Sequence, residues 1–434
     1  MNRSFCIWSA LLAFGGSVTA SDRPNIILVM VDDMGRDWVS CYGAKHQTPN
    51  VDRLARQGVR YETAWCMPIC TPTRVTLLTG QYPFRHGWTQ HYDVPRWGGS
   101  GLSWTKFSTF VRVLRDSGYA TAIGGKWQIN DLRHQPNALS RHGFDEHCVW
   151  TGTEAGRPET EKRYWDGHIM TNGQRTTSKY GPDAINEFLI NFIRHQKNRP
   201  FLVYYPMLLT HGPHDTTPQN RTNPPHEKAS LYAGNVSYMD RLFGQLTDAV
   251  DQAGLRENTL VVFTGDNGSA VAGSLNGEPY AKGKGRRADY GVHVPLIVRA
   301  PFLTTGGRIS RDLIDFTDLY PTLLEIGDAK LPDGVTLDGR SFVPSLRGDD
   351  DPFDKRNWIY SQIGEFRMVR DWHHVVDNQG SFHDLEKDPL QQSEVSPLDK
   401  QAPHRRQRLQ MILDRFPKDA PAPFEEFAER YHSR

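Results

Sequence analysis

The segment of the chain that is most informative about its architecture is Pro24-Asn25-Ile26-Ile27-Leu28-Val29-Met30-Val31-Asp32-Asp33. Six consecutive apolar residues bounded by polar ones predict a strand that is buried on both faces of a sheet. Two carboxylates follow this strand directly. Because ligands of open α/β sheets bind beyond the carboxyl ends of the strands, Asp32 and Asp33 are candidate site residues.

The alternation of strands and helices continues along the chain. Further strands are predicted at 119–124, 201–205 and 259–264, and helices at 48–58, 74–78, 110–117, 183–196 and 238–253. In the first helix, Leu54 and Val59 are the expected apolar positions. Polar residues lie just beyond the three strands, namely Lys126, His211, Asp266 and Asn267. The repeated order predicts an α/β fold with a large, mostly parallel central sheet flanked by helices.

The character of the sequence changes near residue 346, where a charged break runs through Arg347-Gly348-Asp349-Asp350-Asp351-Pro352. Short alternating segments follow at 358–362, 367–370 and 373–376, and they predict a small antiparallel sheet. A helix is predicted at 402–416. We therefore expect a signal peptide at 1–20, a catalytic domain at 21–346 and a C-terminal subdomain at 347–434.

The first twenty residues have the features of a secretory signal peptide. Arg3 supplies a positive charge, residues 5–15 are largely apolar, and small residues precede Ser21. The apolar run is too short to span a bilayer, and the alternative is an ordinary buried N-terminal segment. We expect export to the periplasm or the exterior. At most one disulfide could form there, between two of the three residues Cys41, Cys66 and Cys148.

The overall charge of the chain argues against two classes of partner. The 434 residues include 51 Lys and Arg and 50 Asp and Glu, which gives a formal net charge of +1. A chain so nearly neutral gives no indication of binding to nucleic acid or to a membrane surface.

One cysteine motif carries most of the functional information, Cys70-Thr71-Pro72-Thr73-Arg74-Val75-Thr76-Leu77-Leu78-Thr79-Gly80. It resembles the type I sulfatase motif C-x-P-x-R-x-x-L-x-T-G, with Thr73 where the family more often has serine. The resemblance implies an alkaline-phosphatase-like fold. In that family the cysteine becomes Cα-formylglycine through a formylglycine-generating or an anaerobic sulfatase-maturing enzyme. Cys70 is thereby expected to be the precursor of the nucleophile, with Arg74 facing it.

The same resemblance implies a divalent cation. Sulfatases carry an Asp-Asp pair after the first strand and an Asp-Asn pair within T-x-D-N-G, and this chain has both. Oxygen ligands suit Ca²⁺, the usual ion of the family, or Mg²⁺ rather than zinc. The alternative is that both pairs are ordinary strand-end turns. The expected metal ligands are Asp32, Asp33, Cys70, Asp266 and Asn267.

Further residues match positions that hold sulfate in the family. Lys126 and Lys284 correspond to its two sulfate-binding lysines, and His211 corresponds to the histidine beside the leaving-group oxygen. Gln128 stands where the family has a histidine that contacts formylglycine and is a candidate base. Glutamine takes no proton near neutral pH, so the base is left open, with His134 nearby in the sequence.

These residues predict a sulfuric ester hydrolase that acts on a sulfated carbohydrate or an aryl sulfate. The alternatives are a phosphate or phosphonate ester hydrolase of the same superfamily, or a non-catalytic binder of sulfated glycans. Several aromatic residues after the motif either line a substrate subsite or belong to the core. They are Trp88, His91, Tyr92, Trp97 and Trp104.

Overall fold

A computed structural model describes residues 23–152, 162–196, 199–349, 355–396 and 401–424, and the predicted signal peptide lies outside these ranges. The strands are β1 Asn25–Val31, β2 Val59–Trp65, β3 Ala120–Lys126, β4 Glu146–Trp150, β5 Trp165–Thr171, β6 Gln174–Tyr180, β7 Phe201–Pro206, β8 Thr259–Gly265, β9 Gly273–Leu275, β10 Glu278–Tyr280, β11 His293–Arg299, β12 Arg308–Asp315, β13 Ile359–Ile363, β14 Phe366–Arg370, β15 His374–Asp377 and β16 Phe382–Asp384.

The helices connect these strands and cover the faces of the sheets. They are α1 Pro49–Gln57, α2 Cys70–Thr79, α3 Pro83–His86, α4 Val94–Trp97, α5 Phe110–Asp116, α6 Ala138–Arg141, α7 Gly181–His195, α8 Lys228–Gln252, α9 Asp289–Val292, α10 Leu319–Ile326, α11 Val343–Arg347 and α12 Ala402–Leu413. No helix among the described residues is long and apolar enough to cross a membrane.

Ten strands form one central sheet in the order β12-β2-β11-β8-β1-β7-β3-β4-β5-β6. The strands from β8 to β4 pair in parallel, as predicted, and β12 pairs in parallel with β2. Strand β11 runs antiparallel to both neighbours, and the β5–β6 hairpin adds an antiparallel edge. The central sheet is therefore mixed around a parallel block.

Strand β1 lies in the middle of the sheet and is covered on both faces. Ile26, Leu28 and Met30 pack into one core cluster with residues of α2, α5 and α10. Ile27 and Val29 pack into a second cluster with residues of α1, α7 and α8. Alternate side chains thus point into two apolar layers, which explains why this strand has no polar face.

Val59 is not part of the first helix, so that expectation was wrong. Helix α1 ends at Gln57, and Val59 begins β2, where it pairs with Val298. A β-branched residue after Gly58 favours the strand because its stiff side chain packs well on a pleated surface.

The chain beyond residue 358 forms a four-stranded antiparallel sheet in the order β13-β14-β15-β16. Helix α12 packs on it through Leu409 and Leu413. The Ser361 hydroxyl donates to the carbonyl of Cys66 at 2.8 Å, which ties this sheet to the segment before α2.

Candidate active site

The predicted polar residues meet at one edge of the central sheet. Asp32 and Asp33 follow β1, Asp266 follows its neighbour β8, and Lys126 ends β3. Parallel strands end at the same edge, so residues distant in sequence become neighbours there. The amide of Asp33 donates to Asp266 Oδ1 at 2.9 Å.

The acidic cluster contains oxygens that nothing in the protein satisfies. Asn267 donates from Nδ2 to Asp33 Oδ1 at 2.9 Å, which leaves its own Oδ1 buried without a hydrogen-bond partner. Asp32 Oδ1 is likewise buried and unpartnered. Ligand atoms of Asp32, Cys70 and Asp266 lie within 4.8 Å of one another. Buried oxygens without donors are costly, so the set fits a hard divalent cation.

Three cationic side chains lie against these carboxylates, namely Lys126, Lys284 and Arg74. Lys126 Nζ is 2.8 Å from Asp32 Oδ2 and Lys284 Nζ is 2.7 Å from Asp33 Oδ2. Burial on its own raises the pKa of Asp32, but the surrounding positive charges, Lys126 first, outweigh burial and hold that pKa well below its ordinary value. The expected sulfate-binding lysines therefore flank the expected metal ligands.

Arg74 binds a carboxylate rather than standing free at the nucleophile. Its Nη2 is 2.7 Å from Asp266 Oδ2, and its Nη1 donates to the Lys126 carbonyl at 3.0 Å. The arginine is 1% exposed, so its charge acts at short range on the whole cluster.

Cys70 occupies the first turn of α2, which begins four residues earlier than predicted. Its side chain is 1% exposed. The amide groups of a helix N-terminus favour negative charge, which suits a nucleophile there. The Thr73 hydroxyl accepts from the Met67 amide and donates to the Met67 carbonyl, both at 3.1 Å. Threonine thus keeps a hydroxyl that fixes the approach to the helix.

Two side chains approach the Cys70 thiol. Gln128 Oε1 accepts from Sγ at 3.8 Å, as the family position predicts, and has a left-handed backbone with φ of 66°. His91 Nδ1 lies equally close at 3.8 Å and is 2.9 Å from Thr71 Oγ1. Burial, and then the charge of Lys126, lowers the pKa of His91 to about 4. The imidazole is therefore neutral at neutral pH.

His91 was expected only among the aromatic residues that line a subsite or the core. The one sequence signal for a closer role was the absence of histidine at position 128. His134 does not replace it, because its side chain is 78% exposed and lies near Asp131.

His211 lies beside Lys284. The distance from His211 Nε2 to Lys284 Nζ is 3.0 Å. Arg163 contacts His211 Nδ1 and donates to the Gly212 carbonyl at 2.8 Å. Burial, and then the charge of Arg163, holds the pKa of His211 well below its ordinary value. No sequence motif pointed to Arg163.

The aromatic residues after the motif separate into two groups. Trp88 and Tyr92 are buried core residues, and Trp88 donates from Nε1 to the Pro423 carbonyl at 3.1 Å. Trp104 is half-buried against the same core. Trp97 is 45% exposed and packs on His91.

Comparisons with known proteins agree with this geometry. A family model described as Sulfatase matches residues 24–329. The chain is 29% identical to arylsulfatase H of Canis lupus familiaris, with 82% of this chain and 78% of the relative covered. It is 29% identical to steryl-sulfatase of Mus musculus, with 81% and 69% covered. A crystal structure of Ps i-CgsB in complex with k-i-k-neocarrahexaose has a TM-score of 0.78 and 26% identity, with 94% and 96% covered.

Proposed function

This chain belongs to the sulfatase family, and on that basis we propose that it hydrolyses sulfate monoesters through a formylglycine made from Cys70. The overall reaction converts ester and water into alcohol and sulfate. One observation carries the proposal: Cys70 Sγ, at the first turn of α2, lies within 4.8 Å of carboxylate oxygens of Asp32 and Asp266. The substrate is a sulfated carbohydrate or an aryl sulfate.

Asp32, Asp33, Asp266 and Asn267 would hold the divalent cation, with Ca²⁺ first and Mg²⁺ as the alternative. The unpartnered oxygens of Asp32 and Asn267 support this assignment. When bound, the cation supplies Lewis acidity toward an oxygen of the sulfate group. Lys126 and Lys284 bind the other sulfate oxygens and offset the charge that builds as the S–O bond breaks.

Hydrated formylglycine, when formed at position 70, would supply one hydroxyl oxygen to bond to sulfur as the S–O bond to the alcohol breaks. Its second hydroxyl would then lose its proton and become the aldehyde oxygen as the C–O bond to sulfate breaks. Arg74 orients this group by fixing Asp266 beside it. Gln128 holds it in place by accepting a hydrogen bond at Oε1, which lies 3.8 Å from Cys70 Sγ. The helix N-terminus favours the negative charge on the attacking oxygen.

His211 and Lys284 act at the leaving-group oxygen. A neutral His211 lacks the extra proton of an imidazolium, whereas Lys284, 3.0 Å from Nε2, is charged. We assign the proton for the departing alcohol to this pair, with Lys284 as its source.

His91 takes the role that Gln128 cannot fill. Its neutral Nδ1 faces position 70 and accepts the hydroxyl proton when sulfate is expelled. The imidazole is suited to this step because its pKa is lowered to about 4, so it is neutral at neutral pH and has a nitrogen lone pair that can accept the proton.

The test is mass spectrometry of the peptide that carries Cys70, from protein made in its native host, combined with turnover of matched esters. We expect the mass of formylglycine at position 70 and faster release of sulfate than of phosphate from analogous esters. Finding only unmodified thiol would overturn the mechanism. Faster phosphate release would favour a phosphate or phosphonate ester hydrolase, and tight glycan binding without sulfate release would favour a non-catalytic binder.

Three further expectations complete the proposal. A formylglycine-generating or anaerobic sulfatase-maturing enzyme would act on Cys70. Export to the periplasm or the exterior follows from the predicted signal peptide, which no described residue tests. Residues 21–346 would form the catalytic domain and 347–434 the C-terminal subdomain.

A further inference from the structure

Trp97 presents a large apolar face at the mouth of the site. It is 45% exposed, and its ring packs edge to face on His91 with 5.4 Å between centroids. His91 in turn holds Nδ1 3.8 Å from Cys70 Sγ. Along this path, a single imidazole separates the exposed indole from the precursor of the nucleophile.

Helix α4 fixes the direction of this indole. Val94 and Pro95 are buried, and the Trp97 amide donates to the Asp93 carbonyl at 2.7 Å. Arg133 donates to the Pro95 carbonyl at 2.8 Å. Because the helical turn is anchored by its buried face and by its backbone, the indole is a preformed surface for a ligand.

Charged groups lie beside His211, at another part of the site. The Arg163 guanidinium lies over Trp150, with 4.3 Å from its carbon to the ring centroid. Arg163 contacts His211, which lies beside Lys284. Gly152, two residues beyond Trp150, lies near Pro95 of α4. The site is therefore reached by an apolar side chain through His91 and by a cationic one through His211.

From this arrangement we propose that Trp97 stacks on the pyranose ring of a carbohydrate sulfate whose sulfate group lies at Cys70. The inference rests on the proposed function and narrows its substrate class. The residues beneath a sulfate held by Lys126 and Lys284 are buried, among them Asp32 and Asp266. The ester oxygen and the attached ring would therefore point outward. On the side of Cys70, the ring would meet His91 first and then Trp97.

The surroundings of Trp97 favour a sugar over a flat hydrocarbon. The four residues that follow it are Gly98, Gly99, Ser100 and Gly101, none with a large apolar side chain. Arg96, beside the indole, pairs with Asp93 at 3.5 Å. A pyranose has one apolar C–H face and a hydroxyl-rich edge, which matches a single exposed indole. A sterol needs a continuous apolar surface.

The experiment measures binding to the Cys70→Ala protein, which cannot turn over its ligand. Titration calorimetry would use k-i-k-neocarrahexaose, glucosamine 6-sulfate and 4-nitrophenyl sulfate as probes. We expect at least one saccharide sulfate to bind more tightly than 4-nitrophenyl sulfate. Adding Trp97→Ala should weaken that saccharide about tenfold, and Trp97→Phe should retain most of the affinity.

Trp372→Ala is the matched control, since Trp372 is 38% exposed and contacts Arg311 rather than the site. It should leave every affinity unchanged. The proposal is overturned if no saccharide binds better than 4-nitrophenyl sulfate, or if Trp97→Ala binds the saccharide as tightly as the parent protein. Near-wild-type circular dichroism of each variant establishes that it is folded.

Failure of this inference is distinguishable from failure of the proposed function. The matured wild-type protein is assayed separately for sulfate release from the same three esters. Sulfate release with unchanged binding by Trp97→Ala rejects the stacking role alone. Absence of sulfate release from all three rejects the hydrolase.

Discussion

The proposed role of His91 needs a direct test, because no sequence motif assigned a catalytic role to this residue. His91→Ala should lower kcat by roughly 10²–10⁴-fold with little change in KM, since the role proposed for the imidazole is to move a proton and not to bind sulfate. Steady-state kinetics on a matured preparation measures both constants. Adding Gln128→His to this variant should restore part of kcat by returning an imidazole to the family position.

The pH dependence of activity follows from the same residue. The pKa of His91 is lowered to about 4, so its imidazole stays neutral above that pH and gains a proton below it. Its contribution to kcat should therefore persist through the neutral range and be lost as the pH falls through about 4. An unchanged kcat in His91→Ala would contradict the assignment.

The sequence predicted most of the site because its residues fall in motifs or just beyond strands. Asp32, Lys126 and Asp266 come together as their positions after neighbouring strands require. Arg163 and His91 could not be placed this way. They enter the site from segments without regular structure or a family pattern, and only tertiary packing brings them to His211 and Cys70.

Helix α9 and strand β14 are joined by one buried cluster around Asp289. This carboxylate accepts from Arg370 and from Trp65 Nε1, at 2.7 and 2.8 Å, and lies 3.0 Å from His293 Nδ1. Burial opposes its charge, but His293 and then Arg370 hold the pKa of Asp289 well below its ordinary value. The cluster therefore locks the four-stranded sheet to the chain that follows Lys284.

Asp289→Asn should lower the free energy of unfolding by about 3–5 kcal/mol, because Arg370 keeps a buried charge without its partner. Denaturant unfolding followed by fluorescence measures the change. The control is Asp166→Asn, which removes a carboxylate from an exposed pair with Lys162 and should change stability by at most about 1 kcal/mol. Equal effects of the two substitutions would contradict the locking role.

Continuous burial made several strands predictable, although β11, which is also buried throughout, was not predicted. Strands β1, β7 and β8 consist of residues buried throughout, so unbroken apolar runs revealed them. Strand β6 escaped prediction because its sequence is almost entirely polar and exposed. It forms through backbone pairing with β5 across a short turn. The hydrophobicity of its side chains does not reveal that pairing.

The folded protein as a whole should respond to the divalent cation. A cation that binds the folded state alone stabilises it by about 2.7 kcal/mol at a hundredfold excess over Kd. Thermal unfolding after chelation should therefore occur at a lower temperature than with added Ca²⁺, and comparison with Mg²⁺ identifies the preferred ion. Asp32→Asn should weaken the response, and an unchanged Tm with both ions would contradict the site.

The burial of Cys70 bears on when its proposed maturation would take place. All ten residues of α2 are buried, and the thiol lies beside His91 and Gln128, which are distant in sequence. A second enzyme could not bind this segment in an extended form without unfolding the sheet edge around it. Under the proposed mechanism, the conversion of Cys70 would therefore be completed before the chain folds. A host that lacks the maturing activity at that moment would accumulate a stable but inert protein, which supplying the enzyme afterwards would not rescue.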